Sequence, residues 1–282
     1  MPRSPEDFYL NNIDRQGNPF EGVHYVANEK FNKKVAASWN RIRPKPTQFP
    51  YHDKSDDEIV KRIEHGKYFN QERSDSSVGL EYAVMEGIHN HGWFGSGASV
   101  TPTAKYDDMV NHVDAVVTFQ SADQPMHLAL DVTTGGDYRT IESKINENVD
   151  NLTQGKLTEV KYFIDDENGS KKPVQAPRVI IALTPQATSE LVEKMAEKPE
   201  SVSKDSIQLL ILDEALEQLS FGLETLKNSQ ASQETREKYQ ELINYLSAIK
   251  QEKSPSVVPG TTEQAIRETI SQILNQHRQF LA

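Results

Sequence analysis

Two short apolar runs, Val113 to Phe119 and Leu128 to Val132, constrain this chain more than any other stretch, because each carries an aspartate, Asp114 and Asp131. A carboxylate inside a strand built for burial is costly to desolvate unless it is paired, hydrogen-bonded or bound to a metal. The connection from Gln120 to Met126 is short enough for an antiparallel hairpin. Period-2 alternation puts Asp114 on one face with His112, Val116 and Thr118, and Asp131 on one face with His127, Ala129 and Thr133. A hairpin centred near Asp123 brings the two aspartates within a residue of directly opposite positions. Their Cβ atoms then lie about 5 to 6 Å apart if they share a face, close enough to share one ion.

The flanking sequence reads as helices around this hairpin. Residues 1–54 are rich in Asn, Pro and charge, with one helical spacing at Phe31, Val35 and Trp39, and form an N-terminal extension. Ser55 to Glu58 has the composition of a helix start, and a second helix opens at Ser76 or Ser77, with Glu81 and Glu86 as its acidic positions. Ala98 to Thr101 reads as a short strand, and Asp107 and Asp108 as a solvated turn, with outer-sphere ligands of a metal as the alternative. After Gly135-Gly136, the spacing Ile141, Ile145, Val149, Leu152 predicts an amphipathic helix with Lys144 on the flank of its apolar stripe. Val160 to Ile164 and Arg178 to Leu183 read as strands, followed by a helix over 186–197. From Lys204 the pattern is helical throughout, over 207–226, 234–249 and 263–281. The expected organisation is an extension over 1–54, an α/β domain over 55–200 and a C-terminal helical region over 201–282. Leu209, Leu212, Leu216, Leu219, Leu223 and Leu226 suit a packed bundle or a homodimer contact.

Charge and composition exclude several function classes. A net charge of -11 argues against overall attraction to nucleic acid or an anionic membrane, although one cleft can reverse the sign locally. The absence of cysteine removes disulfides, thiolate metal sites and cysteine nucleophiles. No apolar run approaches the roughly 18 residues of a membrane span, so a cytoplasmic protein without a membrane partner is expected. His89 and His91 do not share a helix face, which speaks against a zinc pair. Neither the glycine-rich stretch from Gly92 to Ser99 nor Gly135-Gly136 has a phosphate-loop pattern, and there is no G-x-S-x-G element.

The order of these parts resembles the PD-(D/E)XK nuclease-like superfamily: a helix with Glu81, a possible short strand, strands with Asp114 and Asp131, a helix with Lys144, then further strands. The segments YDDMVNHVDAVV, LALDVTT and TEVKYF also resemble a group of uncharacterised bacterial proteins. The superfamily likeness covers roughly residues 76–197. It implies an α/β (α+β) fold of the restriction-endonuclease type, a mixed central sheet flanked by helices, here with a C-terminal helical region added. By that resemblance Asp114 and Asp131 are metal ligands, Glu81 is an auxiliary ligand or base, and the cofactor is Mg2+ or Mn2+. The implied partner is nucleic acid, DNA rather than RNA. Thr133 stands where the superfamily carries its catalytic lysine; Lys144 is the candidate replacement and Lys161 a weaker one.

The chemistry matches such residues for a physical reason. Phosphodiester hydrolysis needs an acidified water and stabilised oxyanions, both of which a hard cation held by carboxylates supplies. A neighbouring ammonium orients the water or compensates transition-state charge. The alternative expectation is a nuclease fold without catalysis, kept as a structural or binding module, with Thr133 marking the loss.

Overall fold

The computed structural model describes residues 43–65, 75–121, 124–134, 138–165, 169–253 and 261–281; the helix expected around Phe31 to Trp39 lies outside them. The fold is mixed α/β. A four-stranded sheet is formed by β1 (Ala98–Pro102), β2 (Ala115–Phe119), β3 (Met126–Thr134) and β6 (Arg178–Leu183), in the order β1-β2-β3-β6. The first three strands are antiparallel neighbours, with Ala115 opposite Leu130 and Phe119 opposite Met126. β6 joins β3 in parallel, with Ala129 beside Arg178 and Asp131 beside Ile180. A parallel neighbour requires a long crossover. It runs through helix α4 (Tyr138–Thr153) and a separate small sheet of β4 (Thr158–Val160) and β5 (Val174–Ala176).

Helices cover one face of the main sheet and the β6 side of the other, where Val116 of β2 and Ala129 of β3 pack instead against Val160, Phe163 and Ala176 of the small sheet and its flank, so β2 and β6 are buried along their whole length. On one face, Ala115, Val117, Leu130, Val132, Val179 and Ile181 share a core with Leu80, Val84 and Ile88 of α2 (Asp75–His89) and with Leu191 of α5 (Pro185–Glu197). The same core takes in Val202 of α6 (Pro199–Val202), Ile211 of α7 (Ile207–Lys227) and Leu242 of α8 (Gln233–Glu252). On the opposite face, Ile180 and Ala182 meet the stripe Ile141, Ile145 and Val149 of α4, together with Ile270 and Ile273 of α9 (Thr261–Leu281). The C-terminal helices therefore complete the sheet's own core. The expected leucine series is taken up there: Leu212, Leu219 and Leu226 are buried in it, and Leu209, Leu216 and Leu223 pack against it. The α7 and α8 axes approach closely at Gly222, where an added Cβ would come within 2.5 Å of the Tyr239 ring.

Helix ends follow their sequence signals. Thr184 caps α5 by accepting from Ala187 N, with Pro185 in the first turn, and Ser232 caps α8 by accepting from Thr235 N. α7 also closes the outer edge of the sheet: Gln218 accepts from Ile180 N at 2.9 Å and donates to Ile180 O at 2.7 Å, and Glu214 accepts from Ala182 N at 3.2 Å.

Two expectations are corrected. The apolar run Val160 to Ile164 is a strand only at its first residue. The Lys161 and Tyr162 backbone N–H groups are instead held by the Asp107 carboxylate, at 2.7 and 2.9 Å, which takes them away from any strand partner. Asp107 and Asp108 do not form a solvated turn. They lie on the short helix α3 (Lys105–Val110), and both are buried. Asp107 earns its burial through three donors, the third being Asn111 Nδ2 at 2.8 Å. The same corner carries helix α1 (Lys54–His65), whose Asp56 accepts from Lys161 Nζ at 2.6 Å and from the Tyr162 hydroxyl.

Candidate functional site

Asp114 immediately precedes β2, whose register with β3 begins at Ala115 opposite Leu130, and its own N–H also donates to Leu130 O at 2.8 Å. The ladder is shifted by one residue at that point, so Asp114 lies within a residue of the position opposite Asp131. Both are buried, at 5% and 1% exposure. The Asp114 carboxylate reaches across the ladder and accepts from Val132 N at 2.7 Å. Asp131 is held from two sides: its Oδ2 accepts from Arg178 Nη2 at 2.7 Å, and its Oδ1 from Lys144 Nζ. Arg178 is the first residue of β6, and Lys144 lies on α4 facing the strand ends.

A second ion cluster adjoins the first. Glu81, mid-way along α2, and Asp108, on α3, converge on Arg43, which arrives from the segment before the sheet. Arg43 Nη2 lies 3.3 Å from Glu81 Oε2, and its Nη1 bonds Asp108 Oδ2. The Asp114 carboxyl is pushed well above the usual carboxylate range, first by burial and then by the charges of Glu81, Asp108 and Asp131, with Lys144 acting in the opposite sense. The two clusters are thus one electrostatic unit at the junction of α2, α3, β2, β3 and α4. Close packing of like charges there is offset by three cations from three separate parts of the chain.

Glu81, Asp114, Asp131 and Lys144 are therefore brought together as a set. Glu86, the other acidic residue of α2, turns away and accepts from Asn90 Nδ2 at 2.8 Å. Lys161 belongs to the Asp56 network and takes no part. Thr133 sits beside Ala182 in the parallel ladder. His89 accepts from Val100 N at 3.4 Å. Two members were missed from sequence, Arg43 and Arg178, and Asp108 was read chiefly as part of a turn. Arg178 did carry a signal, since a cation opening a wholly apolar strand poses the same desolvation problem that singled out the aspartates.

As a metal site the donor set has the right chemistry, hard carboxylate oxygens suited to Mg2+ or Mn2+. Its arrangement is that of a set neutralised by guanidinium and ammonium: among the described residues, no three His, Cys, Asp or Glu side chains stand in metal-holding geometry. Beside the cluster, a groove of about 340 Å³ is lined by His112, Arg139, Thr140, Ser143, Lys144 and Glu147. His112 adopts a left-handed backbone conformation, φ 52°. No helix among the described residues is long and apolar enough to cross a membrane. No family model matches the chain, and no curated protein or solved structure does so either.

Proposed function

We propose that this protein is a Mg2+- or Mn2+-dependent hydrolase of nucleic-acid phosphodiester bonds. The observation that carries the reading is the convergence of Glu81, Asp114 and Asp131 with Lys144 bonded to Asp131. Asp114 and Asp131 would hold the cation, with Glu81 as auxiliary ligand. A bound divalent cation supplies an acidified water and neutralises charge on the phosphoryl oxygens. The chain's own residues supply the rest. Asp131 lies within β3 and Asp114 immediately before β2, so both are carried by the rigid sheet. Asp131 anchors Lys144 so that its remaining ammonium hydrogens are available to a water or a phosphate oxygen at the groove. Thr133 has no such role, and Lys144 replaces the missing lysine from the helix side.

The test is cleavage of single- and double-stranded DNA and RNA with Mg2+ or Mn2+. Wild type is expected to cut, with Asp131→Asn and Lys144→Met reduced by about two orders of magnitude or more, the size expected for losing a positioned catalytic group. A wild-type protein inert on every substrate, with no heat of Mn2+ binding, would refute the reading. A second reading has its own support: Arg43, Lys144 and Arg178 already compensate the carboxylates. On that reading the cluster is a structural ion network in a non-catalytic module, and the titration with Mn2+ is silent.

A further inference from the structure

Arg178 is used incompletely by the network around Asp131. Its side chain is fully buried, yet only Nη2 makes a side-chain hydrogen bond; Nε and Nη1 have no hydrogen-bond partner. Such orphaned donors are costly in a folded interior and call for an explanation. Nη1 points toward Glu147 Oε1 at 3.4 Å, an ion-pair contact without hydrogen-bond alignment. The other oxygen of Glu147 lies 3.9 Å from His112 Nε2. Glu147 is 42% exposed, lies on α4 and lines the groove beside Lys144. It therefore stands as an internal carboxylate between a buried guanidinium and open solvent.

The groove around it favours anions. Its lining carries the cations Arg139 and Lys144 beside the carboxylate of Glu147, and the buried guanidinium of Arg178 lies directly behind Glu147, within a chain of net charge -11. Thr140 and Ser143 add hydroxyl donors along the same helix face, and Arg139 and Thr140 belong to the first turn of α4, where the helix dipole is positive. Rotating the Glu147 side chain outward exchanges one weakly aligned contact for solvent, and opens Arg178 Nη1 to a ligand with better-placed oxygens.

We infer that this groove is a phosphate-binding subsite in which Glu147 is a displaceable stand-in for the ligand, and Arg178, Lys144 and Arg139 bind the phosphate once Glu147 swings away. The inference deepens the hydrolase reading and takes its substrate class from it, a phosphodiester of a polynucleotide; free inorganic phosphate shares the same chemistry. Binding at this subsite needs no divalent cation, so it can be tested separately from catalysis.

The experiment is a titration in EDTA at fixed ionic strength, following thermal stabilisation by inorganic phosphate against chloride, with a short single-stranded oligonucleotide as competitor. Glu147→Gln is expected to tighten phosphate binding about fivefold, and Arg139→Gln to weaken it by a similar factor, the scale of one partly exposed charge contact. Glu142→Gln makes the same charge change on the same helix away from Arg178 and is expected to change binding by less than about twofold. These surface substitutions leave the buried network intact. An effect of Glu147→Gln no larger than that of Glu142→Gln overturns the proposal, as does indifference to Arg139→Gln. Competition by the oligonucleotide supports a phosphodiester ligand, and phosphate binding without competition supports free phosphate and removes the nucleic-acid reading. Intact phosphate binding in a protein inert with Mn2+ sinks the hydrolase reading alone.

Discussion

Arg43→Met is the most informative single change, because Arg43 enters the centre of the carboxylate cluster and binds two of its members. Arg43 is 9% exposed, and its guanidinium bridges Glu81, at 3.3 Å, to Asp108. Methionine keeps most of the stem's packing and deletes only the charge. Removing one partner of a buried ion pair costs about 3 to 5 kcal/mol when the other charge stays uncompensated. Part of that cost can be relieved, because the cluster can take up a proton. Asp114, beside Glu81 and Asp108, already holds its proton well above the usual range. A group whose folded-state proton affinity exceeds its unfolded one adds stability at low pH and loses it as pH rises through the folded value. Deleting a neighbouring cation strengthens that trend. The expected destabilisation is about 2 to 4 kcal/mol at pH 8 and smaller at pH 5. Urea denaturation of both proteins in EDTA across this range measures it. If a divalent cation binds this cluster, saturating Mn2+ restores much of the loss, since a ligand that binds only the folded state stabilises it. A loss below about 0.5 kcal/mol at pH 8, the usual size for an indifferent surface change, would refute the claim that Arg43 holds the cluster together.

Three further outcomes are expected. Burial raises the Asp107 carboxyl from 3.8 to about 6, so wild-type stability contains a contribution present below pH 3.8 that is lost as pH rises towards 6; Asp107→Asn removes this slope, seen as a flatter urea midpoint between pH 4 and 7, while costing about 1 to 3 kcal/mol because its amide nitrogen cannot accept from both backbone donors. Gly222→Ala drives a methyl within 2.5 Å of Tyr239 between α7 and α8, and overpacking of about 1 to 3 kcal/mol should appear as a melting temperature lowered by several degrees. Lys144→Met should lower cleavage far more than stability, because Asp131 keeps its Arg178 partner; a melting shift as large as that of Arg43→Met would mark Lys144 as structural.

Local pattern carried much of the site. An aspartate within each of two apolar runs, read with strand parity, placed Asp114 and Asp131 within a residue of opposite positions, and the helical spacing after Gly136 put Lys144 on the flank that reaches Asp131. The strands Ala98 to Thr101 and Arg178 to Leu183 were legible for the same reason, continuous apolar character between breaks. The rest depended on long-range partners. The Asp107 and Asp108 pair has the composition of a surface turn, and partners more than 50 residues away make it interior, the Lys161 and Tyr162 N–H groups for Asp107 and Arg43 for Asp108. Val160 to Ile164 has a strand's composition, yet the same carboxylate captures its backbone. Arg43 lies 38 residues before Glu81 in a proline-rich stretch, where no periodicity can announce a partner.

The closure of β6 by Gln218 and Glu214 bears on how this protein can be divided. A cut near residue 200 follows the change from α/β to helical sequence and looks like a natural boundary for isolating a smaller α/β unit. It would strip α7 from the sheet and leave Ile180 and Ala182 with naked backbone groups along a fully apolar strand. An edge of that kind recruits other strands. The shortened fragment is therefore expected to form insoluble aggregates, and the smallest piece worth expressing ends after α7, together with the helices that cover it.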